Sequence, residues 1–152
     1  FIEFLEQVDK LVISQNFFEL LLVILKICSN EFNKEYFKVY VKRLIYEYIK
    51  PFKETDELLK GNSGDIELLL KYSEIFDVDS IMEIIKEKVK YIVFRKKRKG
   101  KFSLRSTPQY LPLGLLDGIS GIGYTFIRLC YKDALPIMEF VFPISFTEEE
   151  EV

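Results

Sequence analysis

The chain has 152 residues, 49% hydrophobic and 30% charged, with a formal net charge of -2. That length fits one domain with a substantial core, and that balance excludes a disordered polyelectrolyte. Histidine is absent and cysteine occurs only at Cys28 and Cys130, which excludes imidazole-dependent nucleophile systems and zinc sites rich in His or Cys, and leaves open a site built from carboxylates.

Two thiols about a hundred residues apart make no disulfide framework and point to a reducing, cytoplasmic setting. The opening FIEFLEQVDKL has no Met, no basic segment and no small-residue cleavage site, so it does not read as a signal peptide. It reads as starting inside a helix, as a fragment would. Phe1, Phe4, Leu5, Val8, Leu11 and Val12 recur at spacings of three and four and predict a first amphipathic helix reaching Ile13. Residues 17–28 (FFELLLVILKIC) are apolar nearly all round and predict a helix buried on most sides. The apolar run inside it, residues 20–25, is far too short to span a bilayer. Residues 34–50 place Phe37, Tyr40, Val41, Leu44, Ile45, Tyr48 and Ile49 on one face, and Pro51 stops that helix.

A loop over 53–64 leads to a short apolar helix at 65–76 (DIELLLKYSEIF). Ser80 and Glu83 have capping-box spacing and open a helix with Ile81, Ile84, Ile85, Val89 and Ile92 in one stripe. It runs out into Arg95, Lys96, Lys97, Arg98 and Lys99. Residues 100–112 read as a loop broken by Pro108 and Pro112, and a last helix covers 119–131. Residues 137–142 (IMEFVF), between Pro136 and Pro143, read as extended. Residues 144–152, with four consecutive Glu, form an acidic tail after a domain at 1–143.

The six predicted helices alternate in character. The first, third and fifth are longer and amphipathic; the second, fourth and sixth are shorter and apolar. Gly61-Asn62-Ser63-Gly64 precedes one short helix, and Gly118-Ile119-Ser120-Gly121 precedes another 57 residues on. The second helix begins about 48 residues before the fourth. This is an internal repeat of helix pairs in an all-α fold, with outer amphipathic helices covering inner apolar ones. Glycine lets the inner N-termini approach one another or a ligand closely.

Several features have two readings. Gly61, Gly64, Gly118, Gly121 and Gly123 read as tight structural turns; anion sites at helix N-termini are the functional alternative, though the spacing matches neither a phosphate loop nor a dinucleotide fingerprint. Ser63 and Ser120 lack a base that would make them nucleophiles. The basic run reads as a solvated helix end complementing the macrodipole, or as a docking site for an acidic partner. The slightly negative chain, without an RNA-binding aromatic motif, argues against nucleic acid. Tyr124 suits packing or a place facing a central cavity, and Cys130 reads as an inert buried thiol.

Residues 113–124 (LGLLDGISGIGY), continuing TFIRL and then Ala134-Leu135-Pro136, resemble the C-terminal signature of the lanthionine synthetase C-like family. The likeness is to the cyclase domain of class II lanthipeptide synthetases: a Gly-(Leu/Ile)-(Ser/Ala)-Gly-Ile-Gly-Tyr run, a Leu-Arg-Leu helix and a downstream Leu-Pro. Residues 61–69 (GNSGDIELL) resemble the family's Cys-His-Gly-x-x-Gly segment from its first Gly onward. The resemblance covers Phe1 to about Glu139 and corresponds to the C-terminal part of a domain well over twice this length. It implies an α/α toroid of inner and outer helices, each inner helix opened by Gly-x-x-Gly.

It also implies zinc, which stabilises the thiolate of a substrate cysteine for addition to dehydroalanine or dehydrobutyrine. The family's ligands are the Cys-His pair and a second, upstream Cys. By the resemblance the pair falls on Leu59 and Lys60, and the upstream ligand falls near Ser14. Leucine cannot ligate, Lys60 brings a positive charge, and Cys28 is the only thiol before Gly61. The family's acid-base histidine would lie upstream. The expectation is a chain that binds no zinc and performs no cyclisation by itself. It would have a structural role or hold a precursor peptide, with Arg95, Lys96, Lys97, Arg98, Lys99 and Tyr124 as docking residues. The rest of a synthetase, or a second copy meeting exposed apolar helices, would be its partners. The alternatives are a stand-alone helical-repeat interaction module, and a cyclase completed by residues of another chain.

Overall fold

The computed structural model describes residues 15–27, 31–76, 78–105, 112–131 and 135–136. Those residues form five α-helices and no strand: α1 (Gln15–Ile27), α2 (Glu31–Leu44), α3 (Asn62–Tyr72), α4 (Val78–Lys99) and α5 (Ile119–Cys130). The all-α expectation holds. The helix expected before Ile13, the extended 137–142 segment and the acidic tail lie outside the described residues.

The central element is α3, which packs against α1, α4 and α5, while α1 also packs against α2. The three short helices thus form a row, with α2 set against α1 and α4 against α3. The alternation of shorter and longer helices that the periodicity predicts is present. Along α2 the stripe of Phe37, Val41 and Leu44 is buried and continues through Ile45 and Ile49. Those last two belong to a π-helical turn, Ile45–Ile49, closed by the Lys50 N–H on the Ile45 carbonyl at 2.8 Å. Pro51, which has no N–H to donate, follows at once.

Three sequence expectations are corrected. Helix α1 is one-sided: Phe18, Leu21, Leu22 and Leu25 are buried, but Leu20, Val23 and Ile27 are exposed, because its described neighbours α2 and α3 do not surround it. Helix α3 begins at Asn62, three residues before the predicted start, because the Thr55 and Asp56 carbonyls accept the Asn62 and Ser63 N–H groups at 3.0 and 3.4 Å. Helix α4 begins at Val78, so Ser80 and Glu83 lie inside its first turns and Ser80 is not the capping residue. Its stripe of Ile81, Ile84, Ile85 and Ile92 is buried as expected. Gly100, at φ 73°, ends α4 in the left-handed conformation that glycine adopts without steric cost.

The glycines that open α3 and α5 are required by space, not by dihedral angle. Gly61 and Gly118 have ordinary extended backbones, with φ of -103° and -128°. A Cβ on Gly61 would lie 2.5 Å from the Glu57 backbone nitrogen and oxygen, and one on Gly118 would lie 2.5 Å from the Gly114 nitrogen. A Cβ on Gly121 would strike the Leu115 carbonyl and come within 2.9 Å of Leu58 Cβ, whereas nothing stands within 4 Å of Gly123. Gly121→Ala is therefore expected to lower the unfolding free energy by about 1–3 kcal/mol through overpacking. Gly123→Ala should raise it by up to about 1 kcal/mol, through helix propensity alone. Urea unfolding of the two variants checks the contrast.

Candidate functional site

Every residue of α3 is buried, including Asn62, Ser63, Asp65, Glu67 and Lys71. A polar group taken from water needs a partner, and Asn62, Asp65, Glu67 and Lys71 find theirs on the surrounding elements, whereas Ser63 Oγ and the second Glu67 oxygen have none among the described residues. The Asn62 side chain is locked into the preceding loop. Its Nδ2 donates to the Lys53 and Thr55 carbonyls at 2.9 Å each, and its Oδ1 accepts the Lys53 N–H at 2.9 Å. Asp65 takes Lys53 Nζ at 2.5 Å on one oxygen and Lys88 Nζ, from α4, at 3.1 Å on the other. Glu67 pairs with Arg128 of α5 at 2.6 Å, and Lys71 with Glu19 of α1 at 2.5 Å. At the end of the helix the Tyr72 hydroxyl donates to the Phe18 carbonyl of α1 at 2.6 Å.

Burial dominates the electrostatics of this cluster. It raises the Asp65 pKa above the ordinary 3.8, against the pull of Lys88 and Lys53, and lowers that of Lys88 below the ordinary 10.5, against the pull of Asp65. Glu67 is likewise pushed above 4.5 by burial, opposed by Arg128. Tyr72 is pushed up by burial and then by the charge of Glu19. A further buried pair joins Arg95 of α4 to Asp56, whose other oxygen accepts the Ser103 N–H at 2.9 Å. Glu57 accepts the Arg105 N–H at 2.8 Å. The loop before α3 is thereby fastened to the segment after α4.

The two glycine turns lie against each other. The Leu59 N–H donates to the Leu116 carbonyl at 2.7 Å, and Gly121 sits over Leu58. The N-termini of α3 and α5 stand together, and Glu67 and Arg128 join the helices further along. Gly64 lies buried in the first turn of α3. The Ile119 N–H donates to the Pro112 carbonyl at 3.0 Å, and Ser120 Oγ donates to the Leu113 carbonyl at 2.5 Å. The amides of Asn62, Ser63 and Ile119, which an anion would need, thus bond to the chain's own carbonyls.

The remaining sequence candidates are dispersed. Leu59 is half-buried and Lys60 exposed, and Ser14 lies outside the described residues. Of the basic run, Arg95 is an interior residue paired with Asp56, while Lys96, Lys97, Arg98 and Lys99 are exposed. The half-buried Tyr124 spends its hydroxyl on the Pro136 carbonyl. Cys130 is exposed, not buried, since α5 packs against α3 on one side and ends there. Sequence reading missed Asp56, Asn62, Asp65, Glu67, Lys71, Lys88 and Arg128. The signal for two of them was present: Glu67 and Arg128 are charges set within otherwise apolar helices.

Among the described residues, no group of three His, Cys, Asp or Glu side chains is placed to hold a metal ion. Of the buried carboxylates among the described residues, Asp56, Asp65 and Glu67 are already occupied by cationic side chains, and Glu57 accepts the Arg105 N–H.

Paired helices in a row, with inner helices opened at crowded glycine turns and joined by buried ion pairs, define an all-α helical-pair protein. The family model described as Lanthionine synthetase C-like protein matches residues 20–141. The chain belongs to that family. No curated protein and no solved structure matches it.

Removing one partner of a buried pair leaves the other charge uncompensated, at about 3–5 kcal/mol. Asp65→Asn, which strands Lys88, should destabilise by that amount in urea unfolding. Lys88→Met should cost less, because Lys53 stays on Asp65. Glu67 gives a pH signature. Its folded pKa is raised, so above about pH 4.5 the folded chain binds more protons than the unfolded one, and stability falls as pH rises. The stability difference between wild type and Glu67→Gln is expected to shrink from pH 4.5 upward in urea titrations at stepped pH.

Proposed function

We propose that the chain is the C-terminal part of a cyclase-like domain from a class II lanthipeptide (lantibiotic) synthetase, acting in the cytoplasm. It binds no zinc, performs no cyclisation itself, and serves to hold a precursor peptide or to complete a larger synthetase. The row of α1, α3 and α5 suits the inner layer of an α/α toroid, and α2 and α4 suit its outer layer. The observation that carries the reading is the residue pair before Gly61. The family places a Cys-His pair there to hold zinc, and here Leu59 is tied through its backbone to Leu116 while Lys60 is exposed. Thiolate activation needs a metal held by soft ligands, and neither side chain supplies one. The exposed cations at the end of α4 suit an acidic leader segment.

Elemental analysis of the purified chain, after zinc loading and dialysis, tests this reading. The expected content is well below one zinc per chain, and stoichiometric zinc overturns it. Incubation with a dehydrated, cysteine-containing peptide should leave the free thiol titre unchanged. A fall in that titre would show cyclisation and overturn the non-catalytic role.

A second reading, a stand-alone helical-repeat module that binds a protein partner, is favoured by the exposed stripe Leu20, Val23 and Ile27 on α1. Size-exclusion chromatography with light scattering separates the two. An oligomer that Val23→Glu dissociates supports the module, and a monomer unaffected by that change argues against it.

A further inference from the structure

The cations ending α4 do not share one face. Tyr91, Phe94, Arg95, Arg98 and Lys99 recur at intervals of three and four along the helix and so stand on one side of it. With Glu54 they line an open groove of about 530 Å³, to which Lys96 and Lys97 do not contribute. Its floor is held rigidly. Tyr91 stacks on Phe52 with ring centroids 4.3 Å apart and planes 8° from parallel. The Arg95 guanidinium lies 4.9 Å from the Tyr91 ring centre, bonds Asp56 and donates to the Lys53 carbonyl at 3.2 Å. Arg95 is only 8% exposed, yet its Nε–H has no partner among the described residues. The rim is the reverse. Phe94 is 65% exposed, and Arg98 and Lys99 form no ion pair among the described residues.

We propose that this groove docks a short acidic peptide segment carrying one aromatic residue. The aromatic ring lies against Phe94, and flanking carboxylates meet Arg98 and Lys99. The proposal rests on the peptide-holding role above and narrows it to one face of α4 and one kind of segment. Size and hydrogen-bonding groups select a peptide over nucleic acid. The lined stretch of α4 is about 12 Å long at the helical rise. That length takes three or four extended residues but only a few phosphates. Glu54 on the rim is an acceptor for peptide N–H groups, which a phosphate backbone does not offer.

Fluorescence anisotropy at physiological salt tests it, using the full chain and a fluorescein-labelled Glu-Glu-Phe-Glu-Glu pentapeptide. Replacing the peptide's Phe by Ala, or Phe94→Ala in the protein, should weaken binding about three- to tenfold, the worth of an aromatic contact. The pair Arg98→Glu and Lys99→Glu should abolish binding. Lys96→Glu with Lys97→Glu should change it less than about threefold, because charges off the groove are screened. Equal losses from the two charge-reversed pairs, or no loss from Phe94→Ala, would overturn the groove while leaving peptide holding intact. No binding of the peptide at any concentration overturns both. Tighter binding of labelled decauridylate than of the peptide overturns the choice of a peptide partner. Circular dichroism of the variants, all changed at exposed positions, confirms that they fold.

Discussion

The architecture depends on one constraint: α3 is buried on every side and yet carries Asn62, Asp65, Glu67 and Lys71. An apolar helix in that position could rotate or slide against its neighbours at modest cost. A polar one cannot, because each group left unpaired in the interior costs free energy comparable to a lost hydrogen bond. The partners are spread over different elements: Asn62 faces the preceding loop, Asp65 faces α4, Glu67 faces α5 and Lys71 faces α1. One helix thereby sets the rotation and register of everything packed on it. Desolvation cancels much of the Coulombic gain in such pairs, so their contribution is to arrangement more than to net stability.

The crowded glycine turns act on the same seam by another means. The backbones at Gly61 and Gly118 approach their preceding loops more closely than a side chain permits, and the Leu59–Leu116 hydrogen bond ties one turn to the other. Helices α3 and α5 are therefore joined at their N-termini through backbone and along their length through Glu67 and Arg128. Both links are independent of what side chain stands at position 59 or 60. Leu59 contributes its amide and Lys60 extends into solvent.

Periodicity made the helices legible because burial against one neighbour leaves a repeating apolar stripe. The stripes of α2 and α4 came out buried except for the half-buried Tyr40, Tyr48 and Val89, and α5 came out to within one residue. The interior polarity of α3 was hidden for the same reason. DIELLLKYSEIF reads as a mostly apolar helix, and a charge that faces solvent looks the same in sequence as one that faces a buried partner 61 residues away, as Glu67 faces Arg128. Arg95 shows the same ambiguity. It belongs to a run of five cations, but only its position in the turn gives it Asp56, and the other four stay outside. The start of α3 was misplaced because local sequence signals compete with tertiary hydrogen bonds. Carbonyls of Thr55 and Asp56 drew the first turn of α3 back to Asn62. The family's glycine pattern was readable because steric exclusion leaves a fixed residue type. What those turns support chemically was not readable, since the same glycines serve whether or not ligands precede them.

This separation lets the scaffold stay the same whatever side chains stand in front of its glycine turns. Packing in the interior is carried by α3, by its four polar anchors and by the glycines, all of which lie behind or after the turn. Metal chemistry in the family requires side chains in front of the turn, where the chain emerges toward solvent at Lys60. Substitutions there leave no cavity, strand no buried charge and break no cap, so they fall within the small effects usual for surface positions. Substitutions behind the turn do all three. The functional surface can therefore drift or be lost while the fold stays under strict physical constraint. At the exposed end of α4, Arg98, Lys99 and Phe94 have no structural duty among the described residues and are equally free to vary.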